Sequence, residues 1–382
     1  MLFFHAESAI VRYENFFISQ MGIDHKMSKT LKITEIAAQT GLSISTVSRV
    51  LAGKANTSET ARQRVLECAR QKGVLQGIAA GRLLLNSLVI FAPQRAFDER
   101  LDVFYYRVIQ GVGRALEPHD VRLRFCALEE NDSDANLFLS KMNQPDSEAA
   151  ILLGIDDPHI HDLAADLGKP CVLINCRDRK MRLPGIAPDH QLIGQYAASY
   201  LFDMGHKGVL TLLCLRRYTM ELRLEGIRDA WDSRNLSFDE TRHLITAQSF
   251  SAKESEALVS DYLANTPRPA WPSALLVGGD FMAAGAVSAL QKAGLRVPQD
   301  MSVMSIDGFN LAEIHDVPLT SVHVPRDELG EEAVQLLQQR LMRPDAPVVN
   351  ILLAGSLKAR ESVRRIRYGK GHSAVNSDGL YD

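Results

Sequence analysis

The stretch TGLSISTVSRVLAG, from Thr40 to Gly53, places five hydroxyl side chains on a segment with the apolar spacing of a helix. Val47, Val50 and Leu51 recur at the interval of one helix face and predict a stripe that faces a core. Ser and Thr are mediocre helix formers. Their presence on the remaining faces therefore needs a reason beyond the stability of the helix.

The residues around this stretch supply that reason. Three short helices are predicted over 33–39, 44–51 and 58–71, and Gly41 separates the first from the second. Two helices joined by such a tight turn form a helix-turn-helix, whose second helix lies in the DNA major groove. The predicted N-caps are Ser43 and Ser58. The predicted core consists of Ile33, Ile36, Ala37, Leu42, Val47, Val50, Leu51, Val65 and Leu66.

The polar face of the second helix is suited to DNA. Hydroxyl groups bond phosphates or bases without bulk, and Arg49 can reach a guanine with two hydrogen bonds. The predicted DNA contacts on this helix are Ile44, Ser45, Thr46, Ser48 and Arg49. A capped surface helix of an ordinary α-helical domain is the alternative, and the complete two-helix spacing disfavours it.

The charge of the chain is unevenly distributed. Between residues 27 and 86 there are nine Lys or Arg residues and three Asp or Glu residues, a net charge of +6. The whole chain carries a net charge of -3, so the remainder is acidic. A basic module on an acidic body indicates that the module is the part that meets a polyanion.

The rest of the chain has a different pattern. From Leu88 onward, short apolar runs such as LVIFA and AAILLGI alternate with helical patterns. This alternation predicts parallel sheets with crossover helices. It continues for about 270 residues, which exceeds a typical single domain and favours two similar α/β lobes.

Cysteine usage and hydropathy indicate a cytoplasmic protein. The five cysteines are scattered, form no CxxC pair and mostly lie in apolar runs, which predicts buried reduced thiols. No apolar run approaches the roughly 18 residues of a membrane helix, so no membrane contact is expected. Glu7, Arg12 and Glu14 interrupt the aromatic N-terminus, which therefore does not match a signal peptide.

The segment KITEIAAQTGLSISTVSRVLAGKANTSETARQRVLECARQKG resembles the DNA-binding headpiece of the LacI/GalR family of bacterial transcription regulators. The TVSRVL core, Arg62, and GLRVPQDMSVMSIDGFN near the far end all fit that family. The resemblance covers about Lys32 to Arg364. It implies an N-terminal all-α helix-turn-helix headpiece joined to an α/β, two-lobed, periplasmic-binding-protein-like body, with parallel sheets and crossover helices.

The resemblance assigns roles to the predicted DNA contacts. Ile44, Ser45 and Arg49 fall on base-reading positions, whereas Thr46 and Ser48 fall on positions that contact the DNA backbone. The apolar Ile44 is expected to meet a thymine methyl group. In the hinge, Leu83 falls on the leucine that enters the minor groove and kinks DNA. A simple packed leucine is the alternative.

The hinge otherwise departs from the family pattern. Val74, Gln76, Gly77 and Gly81 replace the tyrosine, proline, asparagine and arginine that are usual there. Two glycines weaken a hinge helix by about 1 kcal/mol each relative to alanine.

The resemblance also places effector contacts at the carboxyl ends of strands and the first turns of helices. Arg223 and Asp307 suit neighbouring hydroxyl groups of a sugar, because Asp accepts hydrogen bonds and Arg donates them in a fork. An Arg–Asp pair that bridges the lobes is the alternative. Asn175 stands where the family has a carboxylate. The full predicted set is Phe104, Tyr105, Asn175, Arg217, Arg223, Phe250 and Asp307. Asp280 is expected to cap the helix that follows it rather than to touch the effector.

The predicted organisation follows from these assignments. Residues 1–27 are an extension, 28–73 the DNA-binding domain, 74–87 the hinge, 88–366 the effector-binding and dimerisation domain, and 367–382 a disordered tail. Within the body, one lobe comprises about 88–187 and 320–349, and the other about 188–319 and 350–366. The tail has no leucine heptad, so a homodimer is expected rather than a tetramer held by a C-terminal coiled coil.

The predicted function is a DNA-binding regulator, most simply a repressor. A homodimer would bind a near-palindromic double-stranded operator, and a small effector between the lobes would change operator affinity. A sugar is the expected effector, and a purine or another small polar molecule is the alternative. The sequence contains no nucleotide-binding, nucleophile-elbow or zinc-binding motif that would support an α/β enzyme. No cofactor or metal is expected. A secreted sugar-binding protein, like an enzyme, would leave the basic headpiece unexplained.

Overall fold

The computed structural model describes residues 32–53, 57–73, 75, 83–99, 102–308 and 317–367. The predicted N-terminal extension, most of the hinge and nearly all of the predicted tail lie outside these residues. By its internal contacts the chain divides into two units. The first runs up to Ile186 and includes Arg326–Asn350, and the second comprises Ala187–Pro325 and the chain from Ile351 onward.

The headpiece has the three predicted helices. They are α1 (32–40), α2 (Ile44–Leu51) and α3 (Glu59–Gln71). The side chains of Ser43 and Ser58 accept hydrogen bonds from the backbone at the starts of α2 and α3, so both predicted caps are confirmed. Every predicted core residue belongs to one apolar cluster, with Ile33 and Leu42 at its partly buried edge. Cys68, Ala69, Leu75 and Leu84 also belong to this cluster, although the apolar spacing of the sequence does not predict them there.

The first unit continues with an α/β sheet. Its elements are β1 (Ser87–Ala92), α4 (Val103–Leu116), β2 (Arg122–Ala127), α5 (Ala135–Met142), β3 (Ala149–Leu153), α6 (Pro158–Asp166), β4 (Cys171–Ile174), β5 (Gly185–Pro188), and later α12 (Arg326–Met342) and β11 (Asn350–Leu353). The strand order is β11-β5-β4-β3-β1-β2. β1, β3 and β4 are entirely buried, as expected for strands covered on both faces.

The second unit repeats this plan. Its elements are α7 (His190–Asp203), β6 (Val209–Cys214), α8 (Tyr218–Asp232), α9 (Glu240–His243), β7 (Leu244–Ala247), α10 (Ala252–Asn265), β8 (Ala274–Val277), α11 (Asp280–Lys292), β9 (Ser302–Asp307), β10 (Thr320–His323) and β12 (Ser356–Lys358). The strand order is β12-β10-β9-β8-β6-β7. β10 pairs with β9 in parallel and with β12 in antiparallel orientation.

The parallel sheets with crossover helices are therefore confirmed. Because β1–β5 run in one direction in the first sheet and β6–β10 in one direction in the second, the segments that follow these strands emerge at one edge of each sheet. All five cysteines are buried free thiols, in agreement with their apolar surroundings in the sequence. Among the described residues, no helix is long and apolar enough to cross a membrane.

Candidate DNA-binding and effector sites

The face of α2 opposite the core is open to solvent. Ile44 is 55% exposed although it is a large apolar residue, and Ser45, Ser48 and Arg49 are exposed as well. Thr46 is only half-buried, and its backbone N–H donates to Ser43 Oγ at 3.0 Å. The predicted base-reading side chains are thus accessible, whereas Thr46 also takes part in the helix cap.

Some basic side chains of the headpiece form contacts with other residues of the first unit. Arg62 is 5% exposed and forms an ion pair with Glu148, which precedes β3. Glu148 also accepts a hydrogen bond from the backbone N–H of Asn86 at 2.9 Å. Arg70 Nε donates to the carbonyl of Leu341 at 3.1 Å. The charge count from the sequence therefore overstates what the headpiece can offer to DNA.

Leu83 is buried, with 6% of its surface exposed, and the hinge residues 76–82 before it lie outside the described residues. A side chain that enters the minor groove must be exposed to the bases. The minor-groove role of Leu83 stays a prediction, and it requires this leucine to leave its present surroundings.

In the first unit, Asn175 follows β4 and is 5% exposed. Its Nδ2 donates to the hydroxyl of Tyr105 at 3.2 Å. Tyr105 is held in turn by the cap of α4, since its backbone N–H donates to Asp102 at 3.0 Å. Gly154 makes room for this contact, because a Cβ at that position would lie 2.5 Å from the Tyr105 hydroxyl.

Phe104 and Tyr105, the two neighbouring aromatic residues of the predicted effector-contact set, differ in their surroundings. Tyr105 is 3% exposed and orients Asn175, whereas Phe104 is partly exposed and packs edge-on to Tyr105, with ring centroids 5.4 Å apart. The guanidinium of Arg95 lies 5.7 Å from the centroid of the Tyr105 ring and donates to Glu130 at 2.6 Å. The sequence reading missed Arg95, which follows β1 at the same edge of the sheet.

Asp156, which follows β3, is also at this edge. Burial raises its pKa to about 7, with Glu130 adding to the shift and Arg179 opposing it. A carboxyl group with a raised pKa disfavours folding once it ionises. The resulting loss of stability is absent below the unfolded pKa of about 4 and grows as the pH rises toward 7.

We expect Asp156→Asn to be more stable than the parent protein at pH 8, by up to about 4 kcal/mol, and to lose this advantage as the pH falls toward 4. Urea denaturation at several pH values measures the difference. Asp166→Asn is the control, because Asp166 lies on the surface and pairs with Arg182. A stability difference that does not vary with pH would contradict the raised pKa of Asp156.

In the second unit, Arg223 on α8 is the central residue. It is 2% exposed, and its Nη1 donates to the carbonyl of Gly278 at 2.8 Å. Its Nη2 lies 3.5 Å from an Asp307 carboxylate oxygen. Burial lowers the pKa of Arg223 and the Asp307 carboxylate opposes that effect, so the guanidinium stays charged. Both residues belong to the second unit, so the alternative of a pair that bridges the lobes is wrong.

His190, the first residue of α7, completes this arrangement and was missed from the sequence. Its Nδ1 lies 3.3 Å from Arg223 Nη2. Burial and the charge of Arg223 hold the pKa of His190 well below its usual range, so the imidazole is neutral. Because Nδ1 faces a donor, it must accept, and the ring proton sits on Nε2.

The remaining predicted residues of the second unit follow its strands. Arg217 precedes α8 and is 7% exposed, and Phe250 lies beyond β7. Phe250 and Asp307 both lie beside Gly279, at 3.8 Å and 3.2 Å from where a Cβ would stand. The expected cap by Asp280 is wrong. Gly279 occupies the N-cap of α11, and Asp280 is its first residue and accepts a hydrogen bond from Ser305.

Two family models match the chain in the order of its parts. The first, described as bacterial regulatory proteins of the lacI family, matches residues 32–73. The second, a periplasmic binding protein-like domain, matches residues 186–363. The chain belongs to the LacI family. It is a DNA-binding transcriptional regulator, with α1–α3 as its DNA-binding module.

This LacI-family protein is similar to characterised relatives over nearly their full length. It is 27% identical to the ribose operon repressor of Escherichia coli K12 over 333 residues, which cover 86% of this chain and 98% of that protein. Among solved structures it resembles the regulator CelR in complex with cellobiose, with a TM-score of 0.63, 23% identity and coverage of 86% and 99% of the two chains. It also resembles the lac repressor dimer bound to operator and an anti-inducer, with a TM-score of 0.63, 20% identity and coverage of 86% and 98%.

Proposed function

We propose that this protein is a cytoplasmic, homodimeric repressor whose affinity for a near-palindromic operator is changed by a sugar or sugar derivative. The exposed face of α2 supports operator recognition, since it combines hydroxyl groups, one arginine and one apolar side chain on a capped helix. The similar lac repressor was crystallised as a dimer on its operator. Two such helices in a dimer would read two half-sites related by symmetry.

The observation that carries the effector proposal is the pair formed by the buried Arg223 and the partly exposed Asp307. A guanidinium donates in a fixed fork and a carboxylate accepts, which matches two neighbouring hydroxyl groups of a sugar ring. Phe250 beside Asp307 offers an apolar face of the kind that packs on sugar rings. The similar ribose operon repressor and the cellobiose complex of CelR favour a sugar over a purine.

The proposed role is regulatory and not catalytic. Arg223 is held by a carbonyl, a neutral imidazole and a carboxylate, so it is placed to bind rather than to transfer a proton. We propose that the effector lowers operator affinity. By linkage, operator DNA must then lower effector affinity by the same factor.

The DNA-binding part is tested by Arg49→Ala. Removal of a guanine-reading arginine is expected to weaken operator binding by about 1–3 kcal/mol and to reduce the preference for operator over scrambled DNA. Fluorescence anisotropy on the two DNAs at fixed salt measures both quantities.

Lys72→Ala is the matched control, since it removes one headpiece charge away from α2, at a lysine that pairs with Glu35 at 3.3 Å. It is expected to weaken binding to both DNAs alike and to leave the preference intact. If Arg49→Ala keeps the parent preference, Arg49 does not read bases.

A further inference from the structure

The headpiece shares its hydrophobic core with the body of the first unit. Leu341 and Met342, in the last turn of α12, pack against the apolar cluster formed by α1–α3. Leu84, which precedes β1, belongs to the same cluster and is 1% exposed. Separation of the headpiece from the body would expose these side chains to water, so the shared cluster resists it.

An ion pair joins the two parts at the first turns of α3. Arg62 of α3 is 5% exposed and pairs with Glu148, which precedes β3. The Glu148 carboxylate also accepts from both N–H groups of Asn86, from the backbone at 2.9 Å and from Nδ2 at 3.3 Å. A carboxylate held in this way has a fixed position, so its charge-assisted bond with Arg62 fixes the orientation of α3 against the body.

Two hydrogen bonds to the end of α12 complete the junction. Arg70 Nε, near the end of α3, donates to the carbonyl of Leu341 at 3.1 Å. The backbone N–H of Leu84 donates to Gln338 Oε1 at 2.9 Å. The headpiece is therefore docked on the body through apolar packing, an ion pair and directed hydrogen bonds, all within the first unit.

The docked headpiece keeps the base-reading face of α2 open. Ile44 is 55% exposed, and Arg49 is exposed as well. Just beyond the end of α2, a Cβ at Gly53 would lie 2.8 Å from the carbonyl oxygen of Leu83, so glycine lets the headpiece lie directly against the chain that enters the body. Because the contacts with the body avoid the face that reads DNA, operator binding does not require them to break.

We propose that the headpiece binds operator DNA while it remains docked on the body through the pair of Arg62 and Glu148. This inference goes beyond the proposed function, since it assigns the position of the headpiece to direct contacts with the first unit. A headpiece that is already held in place loses little orientational freedom when it binds, so docking strengthens operator binding. In this arrangement Leu83 is the packed leucine and does not enter the minor groove.

The position of the headpiece is tested by the distance between two nitroxide labels on the full-length protein. The labels are attached to Gln71→Cys at the end of α3 and Glu117→Cys at the end of α4, both exposed positions of the first unit, whereas the native cysteines are buried. An excess of unlabelled protein leaves one labelled protomer in each dimer. Pulsed electron–electron double resonance is expected to give one narrow distance distribution that operator DNA leaves unchanged. A distribution that shifts when operator is added would overturn the proposal.

Glu148→Gln removes the charge that pairs with Arg62. It is expected to broaden the distance distribution and to lower operator affinity about 10-fold at fixed salt, because the freed headpiece must be ordered on DNA. Asp146→Asn is the matched control, since it removes the same charge two residues away, from an exposed pair with Arg122. It should leave both readouts at their parent values. In an Arg62→Gln background, Glu148→Gln should not broaden the distribution further, because the pair is already broken.

The bending of DNA gives an independent readout. A side chain that enters the minor groove kinks the duplex by about 20–90°, whereas a leucine that stays 6% exposed does not reach the bases. Energy transfer between dyes at the two ends of the operator is expected to show no kink, with the parent and with Leu83→Ala alike. A kink that Leu83→Ala removes would overturn the proposal. Tighter operator binding by Glu148→Gln than by Asp146→Asn would also overturn it, because docking would then oppose DNA binding.

Discussion

Arg223→Ala is expected to abolish the response of operator binding to the effector while leaving operator affinity without effector unchanged. The guanidinium is buried and donates to Gly278, and Asp307 and His190 are arranged around it. Charge-assisted hydrogen bonds to a ligand contribute about 1.5–3 kcal/mol each. Loss of a two-pronged donor should therefore weaken effector binding by roughly 100-fold or more.

The same substitution leaves the Asp307 carboxylate without its buried partner. The free energy of unfolding is expected to fall by about 3 kcal/mol, because removal of one partner of a buried pair exposes the full desolvation cost of the other. Arg223→Lys separates folding from binding, since it retains the charge and loses the planar fork. It is expected to fold nearly as well as the parent and still to respond weakly to effector.

The measurement is operator anisotropy across an effector titration, with the thermal midpoint of each variant recorded in parallel. Arg228→Ala is the control on the same helix, because its pair with Glu240 is exposed and should contribute less than about 1 kcal/mol. If operator binding by Arg223→Ala responds to the effector as it does in the parent protein, Arg223 does not contact the effector.

The fold followed closely from the sequence because its signals are local. The apolar spacing predicted α2 with the bounds observed, and the hydroxyl groups of Ser43 and Ser58 marked the starts of α2 and α3. The buried runs that became β1 and β3 were visible as continuous apolar segments. Such patterns depend on neighbours within a few residues, so they need no tertiary information.

The details of the sites depended on contacts that are distant in the chain. His190 meets Arg223 from another helix, and Glu148 neutralises Arg62 across 86 residues. The sequence shows an ordinary histidine after an aspartate and an ordinary basic residue in a headpiece. Neither burial nor pairing can be deduced from such local surroundings, which is why His190 was missed and the free charge of the headpiece was overstated.

The backbone conformation at the sites could not be predicted from the sequence either. Asn175 has a φ of 55° and Asp307 a φ of 118°, both unusual for residues with a side chain. Backbone strain of this kind costs on the order of 1–3 kcal/mol and clusters at ligand sites. The sequence predicts that both residues follow strands. Only the structure shows that their φ angles are positive there.

Gly194→Ala is expected to have a large effect on the effector site, although Gly194 is not itself a predicted contact residue. Gly194 on α7 and Gly226 on α8 let the two helices approach closely. A Cβ at Gly194 would lie 2.2 Å from the carbonyl oxygen of Arg223, and a Cβ at Gly226 would lie 1.8 Å from that of Gln191. Backbone atoms cannot rotate away as side chains can, so α8 must move and carry Arg223 with it.

We expect Gly194→Ala to lower the free energy of unfolding by about 2–3 kcal/mol, even though alanine is intrinsically better in a helix by roughly 1 kcal/mol. Effector affinity should fall as well, because the Arg223 guanidinium loses its position relative to Asp307.

Gly113→Ala on α4 is the matched control, since a Cβ there meets no atom within 4 Å. It should instead stabilise the protein by about 0.5–1 kcal/mol. Urea denaturation measures whether the two substitutions change the free energy of unfolding in opposite directions. This comparison tests whether the close approach of α7 and α8 sets the position of Arg223. If both glycines accept alanine equally, some other contact holds Arg223 in place.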